Sequence, residues 1–180
     1  MVDKKGSIMP IVIVVGGLIA LLLLVFVLGF GWSIIKNTTD DILPELTTMG
    51  EVYPGINLSE SMVTATTPID SIIGNFGMMI GIVYLLGIVG VLALAYTFRG
   101  SLNGWTIALF FGCILLMVVI SILISNAYEE FYNTNDEIGQ TLQSAGMLSF
   151  FILYSPHILT IVAFIAGIIL FTGGGNEQYV

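Results

Sequence analysis

Residues 78–98 read MMIGIVYLLGIVGVLALAYTF, a run without one charged side chain. A helix needs roughly 20 apolar residues to cross about 30 Å of hydrocarbon, so this stretch fits a bilayer. Three other uncharged stretches match it: Ile8–Ile35, Trp105–Ser125 and Leu148–Thr172. Together they predict an all-α integral membrane protein of four transmembrane helices, with helical extensions on the outer side. Residues 1–180 then form a single polytopic membrane domain, with an outer loop at 36–77 and an outer helical hairpin tip at 126–147.

The whole composition agrees. The 180 residues are 57% hydrophobic and only 9% charged, with mean hydropathy +1.04, whereas soluble domains carry about 25% charged residues. The formal charge of −8 and the absence of a basic cluster argue against nucleic acid as a partner, because phosphate binding needs clustered Lys and Arg. A single cysteine, Cys113, excludes an intrachain disulfide framework. Lys4 and Lys5 before the first apolar run resemble the start of a signal peptide. That run is too long and lacks an A-x-A-like cleavage site, so the segment is expected to be retained.

Basic residues set the expected orientation. Lys4, Lys5 and Arg99 fall on one side and Lys36 on the other, which predicts both termini in the cytoplasm or interior. The two acidic blocks, 40–70 and 129–137, then lie outside. Within them, Thr67-Pro68-Ile69-Asp70 has a capping residue, a proline and an acid in the order that starts a helix, so the second helix is expected to begin at Pro68. Asn133-Thr134-Asn135-Asp136 reads as the tip of a helical hairpin, with Tyr128, Phe131 and Tyr132 before it facing Ile138 and Leu142 after it. Residues 37–66 are punctuated by Thr, Ser, Gly and Pro and are expected to be the least ordered. Their two N-glycosylation patterns, at Asn37 and Asn57, are read as chance matches.

None of the four spans contains Asp, Glu, Lys or Arg. Pumps, ion-coupled transporters and voltage sensors place ionisable groups at depth, so these classes are disfavoured. No G-x-S-x-G motif or pair of membrane carboxylates offers catalysis, and one His with one Cys cannot supply a metal or haem ligand set. The reading is therefore a non-enzyme with no catalytic, cofactor-binding or metal residues and no cofactor.

What remains inside the spans is polar but mostly uncharged. Pro156 lacks the N–H that bonds the carbonyl of Ile152, and Ser155 and His157 flank it as expected donors or water holders. Tyr84 lies at nearly the depth of His157, the only histidine, and a hydrogen bond between them is expected to be geometrically feasible. Tyr154, His157, Thr160, Phe164 and Gly167 share a helical stripe expected to face other helices. Gly77 and Gly81 form a GxxxG pattern suited to close helix approach. Thr106, Cys113, Met117 and Ser121 give the third span a mildly polar face, and Trp32 and Trp105 suit the interfacial belts.

The functional expectation is a non-enzymatic structural or accessory subunit of a membrane assembly, in a membrane complex or a viral internal membrane. Its partners are the lipid bilayer and other membrane or membrane-associated subunits, a homo-oligomer among them. Asp40, Asp41, Glu129 and Glu130 are the candidate docking residues on the acidic outer loops. The alternative is an oligomeric pore or holin-like permeabilising protein lined by the Thr106–Ser121 face.

Overall fold

A computed structural model describes residues 8–47, 58–99 and 104–172. The chain is all-helical: α1 (Met9–Thr47), α2 (Leu58–Thr97), α3 (Gly104–Tyr132), α4 (Glu137–Ser144), α5 (Met147–Leu153) and α6 (Ser155–Thr172), with no strand among the described residues. Four helices, α1, α2, α3 and α6, are long and apolar enough to cross a membrane. The Lys4–Lys5 pair, the Asn57 sequon position, the interior of the 99–104 turn and the Gly173–Gly175 stop lie outside the described residues.

α1 packs antiparallel along α2, and α3 runs alongside α1 toward the acidic end. α4, α5 and α6 form one column returning from that end, wedged between α2 and α3. Although consecutive in sequence, α2 and α3 occupy opposite corners. Small residues set the approach of α1 to α2: a Cβ on Gly17 would touch Val91 at 3.3 Å, and one on Gly87 would overlap Leu21. Along α2, Gly77 and Gly81 lie under α5, where added Cβ atoms would meet the Ala145 carbonyl oxygen at 3.2 Å and the Met147 Cγ at 2.8 Å. Dispersion at such short range matters here, because burying apolar surface from lipid gives little driving force.

The punctuated outer segment departs from its sequence reading. α1 continues through Asn37-Thr38-Thr39 and Pro44 to Thr47, and α2 starts at Leu58, ten residues before Pro68. The Thr hydroxyls explain part of this. Thr38 and Thr39 donate to the carbonyls of Ile34 and Ile35, and Thr67 donates to Val63 at 2.6 Å instead of capping a helix start. Each satisfies itself inside a helix, so its preference for turns is not expressed. Twelve residues of α1 beyond Ile35 extend it by about 18 Å at 1.5 Å per residue.

Trp32 corrects a second expectation. It is buried, and its indole N–H donates to the Ile73 carbonyl at 2.7 Å, pinning α1 to α2. Trp105 is 76% exposed at the opposite end, where the Tyr96 ring of α2 carries the Arg99 guanidinium at 4.3 Å. Such an aromatic–cation group suits a membrane–water boundary.

Candidate functional site

The acidic end is where side chains tie different helices together. The Tyr128 and Ser149 hydroxyls share a hydrogen bond of 2.8 Å, and Ser149 donates to the Leu142 carbonyl at 2.5 Å. This chain of bonds joins α3, α5 and the end of α4 through buried groups. Gln143 donates to the Tyr132 carbonyl at 2.8 Å, closing α4 onto α3. Thr141, on the buried face of α4, donates to the amide oxygen of Asn37 on α1. The Asn37 sequon thus sits on a helix with its side chain engaged in tertiary structure.

The connection at 133–136 is built by its own side chains. Asp136 takes an extended conformation and caps α4, its carboxylate accepting from the Gly139 N–H at 2.8 Å and from the Thr134 hydroxyl at 2.6 Å. These bonds, Thr134 first and the Gly139 amide second, hold its carboxyl below the usual carboxylate range. Gly139 is required, because a Cβ there would run into the Thr134 carbonyl. Of the aromatic and aliphatic residues flanking the tip, Tyr128 and Leu142 are fully buried, while Phe131 stacks edge-on against Phe30 of α1 at 5.1 Å.

Between α1 and α4 this framework leaves a polar cleft of about 320 Å3, lined by residues including Lys36, Asp40, Asp41, Glu137 and Gln140. Lys36 and Asp40 form an ion pair at 2.7 Å, which leaves Asp41 and Glu137 as its exposed acids without an ion pair. Glu129 and Glu130 are exposed on the last turn of α3 and do not line this cleft. The structure thus gathers Asp40 and Asp41 with Glu137, a residue the sequence reading used only as a helix-start acid. Among the described residues, no group of three His, Cys, Asp or Glu is placed to hold a metal ion.

The polar groups of the spans are arranged differently from their expected pairing. Tyr84 is fully buried beside Phe151, with ring centroids 5.0 Å apart, and its hydroxyl has no hydrogen-bond partner among the described residues. His157 lies on the outside of α6, next to Tyr154 with ring centroids 6.4 Å apart, so the Tyr84–His157 bond does not form. Equal depth is not equal azimuth: the two side chains leave their helices in different directions. Within the stripe, Tyr154, His157, Thr160 and Phe164 all face away from the chain's own helices, and only Gly167 is buried, beneath Phe110. Thr160 satisfies its hydroxyl on the Pro156 carbonyl at 2.5 Å.

Pro156 breaks the column in a defined way. α5 ends at Leu153, Tyr154 is a turn, and the His157 N–H reaches back only to the Tyr154 carbonyl at 3.1 Å. The Leu153 carbonyl is released from the ladder and accepts from the Ser125 hydroxyl of α3 at 2.7 Å. The carbonyl taken up across helices is thus that of Leu153, not the expected one of Ile152, and its donor is a serine 28 residues away. The Ser155 hydroxyl is buried without a partner among the described residues. The polar face of α3 is closed as well: Thr106, Met117 and Ser121 are buried in the bundle, and Ser121 donates to the Val118 carbonyl. Comparison with protein-family models, curated proteins and solved structures finds no match to the chain, so its function is argued from this geometry.

Proposed function

We propose that the chain is a non-enzymatic, four-span membrane subunit whose acidic end is a preorganised platform for docking a basic segment of a partner protein. The carrying observation is the α1–α4 cleft, in which a helix-borne row of Asp40 and Asp41 faces Glu137 across a framework fixed by the Asn37–Thr141 bond. A framework held before binding loses less conformational freedom on association, and a field of one sign speeds encounter with an oppositely charged partner. The sequence positions of Lys4, Lys5 and Arg99 support an orientation with the termini in the cytoplasm or interior and the platform on the far side of the membrane.

The test uses photo-crosslinking in native membranes from a reactive residue at Asp41. A discrete protein adduct is expected, lost in the double charge reversal Asp40→Lys and Glu137→Lys and weakened by raising salt to about 0.5 M, where exposed charges are screened. An adduct indifferent to both, or no adduct, contradicts the proposal. Reversal of Glu129 and Glu130, outside the cleft, should leave the adduct in place.

A further inference from the structure

Hydroxyls inside the spans mostly satisfy themselves on their own helix. Thr97 donates to the Ala93 carbonyl, Ser121 to Val118, Thr160 to Pro156 and Thr172 to Ile168, each three or four residues back along the chain. Ser155 departs from this habit. Its side chain is fully buried, and its hydroxyl has no partner among the described residues, although the Ile152 carbonyl lies three residues back, where such a bond would form.

That carbonyl is also short of a donor. Pro156 has no N–H to give it, and it receives only a share of the Tyr154 N–H, which bonds the Phe150 carbonyl at 3.0 Å as well. The adjacent Leu153 carbonyl is settled by the Ser125 hydroxyl of α3. Ile152 is given no such side-chain donor among the described residues, and it too is fully buried. One helix break therefore sets an acceptor with a spare lone pair three residues from a hydroxyl without a partner, both closed off from lipid.

We propose that a single water molecule is bound inside the bundle at the Pro156 break, donating to the Ile152 carbonyl and accepting from the Ser155 hydroxyl. Buried waters characteristically hold two to four hydrogen bonds to groups that are otherwise unsatisfied. Ordered water is also one of the ways in which a membrane helix accommodates a proline. A bound cation fits this place poorly, because none of the four spans contains an Asp or Glu to balance its charge. Tyr84 supplies the contrast. Its hydroxyl is as deeply buried and equally without a partner, but it stands beside the Phe151 ring on α2, a helix that runs unbroken from Leu58 to Thr97. With no carbonyl released there, a water would find one partner instead of two, and Tyr84 stays dry. The site lies within the spans, apart from the acidic cleft between α1 and α4, and does not depend on what docks there.

Water-edited solid-state nuclear magnetic resonance on the full chain in lipid vesicles tests it. Magnetisation should pass at short mixing times from water to the Ser155 β-carbon and the Ile152 carbonyl carbon, and not to the Tyr84 ring carbon that bears the hydroxyl. Pro156→Ala returns an N–H to Ile152, so transfer to Ser155 should be lost. Ser155→Ala should abolish transfer to the Ile152 carbonyl, with helicity by circular dichroism unchanged in both variants. Absence of transfer to Ser155 in the unsubstituted chain overturns the proposal whatever the variants do. So does equal transfer to Tyr84, which makes the whole interior wet, or transfer to Ser155 that persists undiminished in Pro156→Ala.

Discussion

Glycines admit close neighbours at both ends of the bundle, Gly77 against Ala145 as well as Gly167 against Phe110, and the acidic end adds side-chain bonds between helices. At the acidic end, Trp32–Ile73, Asn37–Thr141, Tyr128–Ser149, Gln143–Tyr132 and Ser125–Leu153 hydrogen bonds cross between helices. At the opposite end, small residues admit large ones: Gly17 against Val91, Gly87 against Leu21, and Gly167 under the Phe110 ring, which also meets Phe171 edge-on at 5.3 Å. The contrast follows from what each end needs. Deep in hydrocarbon, close contact between backbones is what distinguishes a protein neighbour from lipid. At the acidic end, directional bonds anchor the 133–136 connection and α4.

The heaviest loss is expected at the packed end. Gly167→Leu drives a side chain into Phe110, whose ring already stands 2.8 Å from where a Cβ would be. Unfolding in a detergent titration should show a loss toward the upper end of the roughly 1–3 kcal/mol typical of forced overpacking. Trp32→Phe removes the indole donor at the acidic end. About 1 kcal/mol is expected, between the average of about 0.6 and the maximum of about 1.7 kcal/mol for a membrane hydrogen bond, read by the same titration.

A matched pair of tyrosines separates the roles of bond and burial. Tyr128→Phe breaks the Tyr128–Ser149 bond and should cost about 1 kcal/mol, the net contribution of a typical intramolecular hydrogen bond. Tyr84→Phe removes a buried hydroxyl without a partner, so stability should be unchanged or higher. Equal losses from both substitutions contradict the distinction between the two regions.

The gentlest effect is at Asp136. Its folded-state pKa is lowered by Thr134 and the Gly139 amide, so its cap contributes stability above the pKa of the unfolded chain. That contribution is lost as pH falls through the lowered folded value, below the usual carboxylate range. Hydrogen exchange at Gly139 and Gln140 should accelerate there, and Asp136→Ala should show the faster exchange already at neutral pH, with the acid dependence gone.

The legible parts of this fold are those with a signal local to the sequence. The gaps between charges mark the four helices long and apolar enough to cross a membrane, and Asn133-Thr134-Asn135-Asp136 marks the connection because its cap is made by its own side chains. Pro44 and Pro68 misled because a proline only disfavours a helix interior. The Thr38, Thr39 and Thr67 hydroxyls bond within their own helices, and Asn37 is anchored on α4 by a partner 104 residues away. Helix rotation was also hidden. α6 is apolar all round, so nothing in its sequence tells the face bearing His157 from the face bearing Ala163 and Ala166, which are fully buried. The Ser125–Leu153 bond and the grouping of Glu137 with Asp41 depend on that same unseen packing.

Side-chain bonds between helices hold the acidic end in one arrangement. Spin labels at Asp41→Cys on α1 and Gln140→Cys on α4, in a Cys113→Ser background in vesicles, read this directly by pulsed electron paramagnetic resonance. A single narrow distance distribution is expected, broadening when Thr141→Val removes the donor to Asn37. A distribution that is already broad with Thr141 in place, or one that stays equally narrow without it, contradicts the account.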